Sequence, residues 1–113
     1  MCSRETLNQL LQELHVQLEG LFGAHLKEVV LFGSYARGDA DEGSDVDVLV
    51  LVDLSREEIV GYRRDVAAIA SEYLFSNDLL VSPIIENEAF FNQHREILPF
   101  YQNIAREGVL VVA

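Results

Sequence analysis

Leu7, Leu10, Leu11, Leu14, Leu18 and Leu21 recur at helical spacing, so one apolar stripe runs down a first helix. Ser3 can cap its start, and Gly20 and Gly23 mark its end. Val29, Val30, Leu31 and Phe32 make a short apolar run that predicts a strand, interrupted by Gly33. Residues 34–37 have room for about one helical turn, stopped by Gly38. Residues 39–44 are polar and read as a loop.

The next run, 45–52, alternates in a way that fixes its place. Val46, Val48, Val50 and Val52 share one face, and Asp45, Asp47, Leu49 and Leu51 share the other. Beyond Asp47 both faces are apolar, which predicts a central strand covered on both sides and open only at its start. Ser55 followed by Glu58 is a capping box. The helix it starts carries Ile59, Tyr62, Val66, Ile69, Ala70 and Tyr73 on one side. A third strand is expected over 78–85, with Pro83 pointing to an edge position or a bulge. Residues 88–97 are expected to be helical. Pro99 can open another helix, Gly108 ends it, and 109–112 form a last strand. The order helix, strand, strand, helix, strand, helices, strand predicts an α/β fold, a mixed sheet backed by helices. At 113 residues the chain is expected to form one domain, 1–113.

Half of the residues are hydrophobic, enough for a real core. The net charge of −11 argues against direct nucleic-acid binding, since phosphate backbones attract basic surfaces. It leaves room for a basic partner protein or for metal ions. The single cysteine, Cys2, excludes an internal disulfide and a cysteine-rich zinc site, which fits a reducing cytoplasm. No apolar run approaches the ~18 residues of a membrane span, and a basic-then-apolar leader pattern is lacking.

Candidate chemistry gathers in one short stretch: Gly33-Ser34, a spacer of ten residues, then Asp45-Val46-Asp47. A Gly-Ser pair between a strand and a helix start turns the chain sharply and leaves backbone N–H groups outward. Such a place binds anions, and the Ser34 hydroxyl adds a donor. Arg37, one turn on, can reach the same phosphates with its guanidinium fork. Asp45 and Asp47 leave the same face of their strand with Cα atoms ~7 Å apart. Two such carboxylates can converge on one Mg2+ or share a pair of ions about 3.5–4 Å apart. Nucleotidyl transfer is the leading reaction that needs both parts so close together. A solvated strand end is the bland alternative for a lone Asp-x-Asp.

The strings 31–38 (LFGSYARG) and 44–50 (SDVDVLV) closely resemble the signature of the DNA polymerase β-like nucleotidyltransferase superfamily. The chain is similar in size to its minimal, MNT-type members. The resemblance implies a nucleoside triphosphate substrate, ATP first, with Mg2+. It makes Gly33 and Ser34 triphosphate contacts and Asp45 and Asp47 metal ligands. It also implies a third carboxylate on a later strand, near the attacking hydroxyl. Asp78, at the start of the expected third strand, is the candidate; Glu86, at its far end, is a poorer choice. The MNT resemblance further implies an antitoxin that adenylylates a tyrosine of a partner HEPN-type ribonuclease toxin. A binding antitoxin or regulatory subunit that blocks its partner without catalysis is the alternative. The acceptor surface is expected from another protein or from a second copy of this chain.

His15, His25 and His94 have no mutual spacing that suggests a metal site. Arg63 and Arg64 read as a solvated helix face. Tyr62 and Tyr73 fall on the buried stripe. Phe90, Phe91, Phe100 and Tyr101 cannot all face one way, so core and a protein-binding patch are both open for them.

Overall fold

The computed structural model describes residues 2–111. Helix α1 (Arg4–Phe22) starts at Ser3, whose side chain accepts from the Thr6 N–H, and stops at Gly23, held at φ 59°. Leu7, Leu10, Leu11, Leu14, Leu18 and Phe22 are buried, so the leucine stripe is the core face. Strand β1 (Leu26–Phe32) runs antiparallel to β2 (Val46–Val52), which runs parallel to β3 (Val81–Asn87). Strand β4 (Val109–Val111) closes the other side, giving the order β3-β2-β1-β4. Position 112 of the expected last strand lies outside the described residues.

Strand β2 is central, as its alternation predicts. Its four valines pack with Val29 and Leu31 against α1 and the long helix α4 (Arg63–Asn77). Leu49 and Leu51 face the opposite layer with Phe32, Phe91 and Ile104. That second layer is α5 (Glu88–His94) and α6 (Pro99–Glu107). Pro83 lies in β3, an outer strand, as a proline in a sheet requires.

Three expectations are corrected. The helix begun by the Ser55 capping box ends early, as α3 (Arg56–Val60). Glycine is a poor helix former, and at Gly61 the chain tightens: the Tyr62 N–H bonds to the Ile59 carbonyl, three residues back. The third strand begins at Val81 rather than at Asp78, because α4 runs on to Asn77 and Asp78 closes it in the left-handed conformation, φ 53°. Helix α5 stops at His94 instead of 97, where the His94 carbonyl accepts from both Ile97 and Leu98 ahead of Pro99.

Helix α6 is pinned to β3 by one buried polar contact. Glu86 is only 4% exposed. Its Oε1 accepts from the Tyr101 hydroxyl at 2.5 Å and lies 3.4 Å from Arg56, while Oε2 accepts from the Asn87 N–H at 2.8 Å. Burial, helped by the bond to Glu86, pushes the Tyr101 hydroxyl up to about 12. A raised pKa means that the contribution of this proton is intact below the ordinary value near about 10 and is lost as pH rises through about 12. A phenolate absorbance titration of wild type against Tyr101→Phe should therefore show one late-ionising tyrosine missing from the variant. Chemical denaturation should show Tyr101→Phe less stable by about 2 kcal/mol, the scale of a hydrogen bond to a charged partner.

Candidate active site

Gly33 and the start of β2 meet because β1 and β2 are antiparallel neighbours, which pairs Phe32 with Asp47 in register. Gly33 follows at φ 75°, ψ −156°, a conformation open almost only to glycine. This bend releases the chain from the sheet into α2 (Ser34–Arg37), which Gly38 ends in the left-handed region. A second reason for glycine is space: a methyl group at Gly33 would overlap the Asp47 carboxylate. The turn and the acid are thus in contact, with nothing packed between them.

A cavity of about 340 Å³ opens at this point, lined by Gly33, Ser34, Arg37 and Asp47 on one side and by α6 on the other. A larger, mostly apolar groove of about 460 Å³ runs between α4 and β3, away from these residues. Asp45 and Asp47 are both half-buried at the mouth of β2. Burial pushes the Asp47 carboxyl up, the charge of Asp45 adds to this, and Arg37 opposes both. Arg37 stands at the rim, donating to Asp39 at 3.2 Å and to Glu107 at 3.1 Å.

The donor set here fits Mg2+. The Asp47 carboxylate sits against Gly33 and feels the charge of Asp45, and that repulsion is what a divalent cation would relieve. Among the described residues no three His, Cys, Asp or Glu side chains form a group able to hold a metal, and Asp78 closes α4 instead of opening β3. The residue of β3 beside Asp47 is Ser82, which has no carboxylate. Glu86 lies level with Leu51, at the other end of β2, and is engaged by Tyr101. The histidines are dispersed: His15 bonds Glu19, His25 bonds Asp53, and His94 bonds the Phe90 carbonyl.

Sequence reasoning missed the contribution of α6. Phe100, Asn103 and Glu107 all line the cavity. Their spacing of three and four puts them on one helical face, and that was the signal available in the sequence.

The fold and the turn set against paired acids define a nucleotidyltransferase core of the polymerase β type. The chain belongs to the nucleotidyltransferase domain family, whose model matches residues 9–107. A Methanocaldococcus jannaschii protein assigned as a protein adenylyltransferase, MJ0141, is 42% identical over 77 residues, which span 68% of this chain and 76% of the relative. Among solved structures, a toxin–antitoxin with AMP-PNP superposes with a TM-score of 0.56 at 18% identity, covering 90% of this chain and 73% of that one. A tri-AMPylated Shewanella oneidensis HEPN toxin in complex with MNT antitoxin gives 0.52 at 19% identity, covering 94% and 72%. At these identities the two structures speak to fold alone.

Proposed function

We propose that this chain transfers AMP from ATP to a tyrosine of a partner protein, a HEPN-type toxin that it thereby silences. The observation that carries the reading is the contact between Gly33 and Asp47 at the wall of a cavity, with Asp45 beside it. Ser34 and the turn hold the triphosphate, and Arg37 exchanges Glu107 and Asp39 for phosphate oxygens. Mg2+ held by Asp45 and Asp47 would supply charge neutralisation along the triphosphate. The acceptor oxygen bonds to the α-phosphorus, the bond to the bridging oxygen breaks, and pyrophosphate leaves with that electron pair.

The hydroxyl proton passes to solvent water, before or during attack. Ser82 stands where β3 could have offered a base beside Asp47. This favours an acceptor that ionises readily, and a tyrosine hydroxyl with a pKa near about 10 suits better than a sugar hydroxyl. The name of the M. jannaschii relative and the AMPylated toxin of the Shewanella complex support a protein acceptor. The AMP-PNP complex supports ATP.

Incubating the co-purified partner with ATP and Mg2+ and weighing it by mass spectrometry tests the reading. The partner should gain AMP on tyrosine; an unmodified partner would end it. A second reading rests on the charge of −11, which suits a basic partner surface and needs no chemistry. Equal neutralisation of the partner by wild type and Asp47→Asn would favour that reading. Ser34→Ala should weaken ATP use about tenfold with little change in melting temperature, since Ser34 lines the cavity and is not part of the buried core. Nucleotide titration and thermal melts check this directly.

A further inference from the structure

The cavity has two unlike walls. One is the turn and the acid. The other is α6, which presents Phe100 and Asn103 one helical turn apart. Phe100 is 49% exposed, unusual for a phenylalanine whose neighbours Tyr101 and Ile104 are turned inward. Its ring meets Phe32 at 5.8 Å and 82°, an edge-to-face contact. Phe32 is in turn the register partner of Asp47. A single aromatic contact therefore separates an accessible ring from the strand pair that carries the acid. Asn103 is exposed, and its Oδ1 accepts from Arg106 at 2.8 Å. That bond uses one lone pair and leaves the other, with both amide hydrogens, for a ligand.

Resting on the nucleotide reading above, we infer that Phe100 and Asn103 form the base subsite: Phe100 stacks on the purine ring and the Asn103 amide reads its edge. The cavity volume is of the size that takes a small ligand. With phosphates at Gly33 and Ser34, the base is the part left to face α6. Stacking accepts any base, so Asn103 supplies the discrimination. A carboxamide offers a donor beside an acceptor, which matches the N6/N7 edge of adenine; guanine shows two acceptors at that edge. The site should prefer ATP to GTP.

Binding titrations with Mg2+ present test this, using ATP, GTP and inorganic tripolyphosphate on the full chain. Phe100→Leu keeps an apolar contact for Phe32 but removes the ring. It should weaken ATP about tenfold and leave tripolyphosphate unchanged, and Phe100→Trp should restore ATP. Asn103→Ala should bring ATP and GTP to about equal affinity. Unaltered ATP affinity in Phe100→Leu, or an equal loss for tripolyphosphate, would overturn the subsite. Wild type that binds tripolyphosphate but shows no gain for ATP would overturn it too. Wild type that binds none of the three probes would instead sink the nucleotide reading on which it rests.

Discussion

Asp47→Asn is expected to lower AMP transfer by about a thousandfold or more while making the metal-free protein slightly more stable. The two effects have one origin. Folding takes the Asp47 carboxylate partly out of water and sets it beside Asp45, and both disfavour its charge. Asparagine keeps the shape and removes the charge, so apo stability should hold or rise. Under the proposed mechanism catalysis loses a negative group that would hold Mg2+ against the phosphates, and losses of preorganised electrostatic groups run to about 10²–10³ or beyond. Magnesium should raise the wild-type melting temperature and leave that of the variant nearly unmoved, because only a ligand that binds the folded state stabilises it. Thermal melts with and without Mg2+, beside radiolabelled transfer assays, check both halves. A variant less stable than wild type without metal would mean that Asp47 serves the fold.

Gly33→Ala is expected to damage fold and chemistry together. The backbone conformation alone should cost about 1–3 kcal/mol. The added methyl must also push the Asp47 carboxylate aside, since the two would overlap. Transfer should fall to background even under conditions where the variant remains folded. Denaturant titration and activity at matched folded fraction separate the two losses. Gly20→Ala, inside α1 with no heavy atom within 4 Å of the added carbon, should leave activity near wild type and stability equal or higher by up to about 1 kcal/mol. The contrast would separate the demand at Gly33 from the general effect of exchanging a glycine for alanine.

The approach of Gly33 to Asp47 was legible in the sequence because their relation is local. Gly33 and Ser34 sit at the end of one strand, Asp45 and Asp47 at the start of its neighbour, and a hairpin-like connection brings the two ends together. The central place of β2 was legible because both of its faces are apolar beyond Asp47. The strand position expected for Asp78 was misread for a physical reason. Leu79 looks like the first apolar residue of a strand, yet it is buried as part of the helix end, its N–H bonded to the Tyr73 carbonyl. The face of α6 was legible in its spacing, but what that face meets was not, because tertiary packing decides it. Phe100 alone cannot report that β3, through Glu86 and Tyr101, holds its helix over the cavity.

Pro83 has a consequence for how the molecule behaves in bulk. An outermost strand with free amides is a template on which further chains can stack, and a proline deletes one donor from that template. With each copy also carrying eleven surplus negative charges, concentrated solutions should resist filament growth.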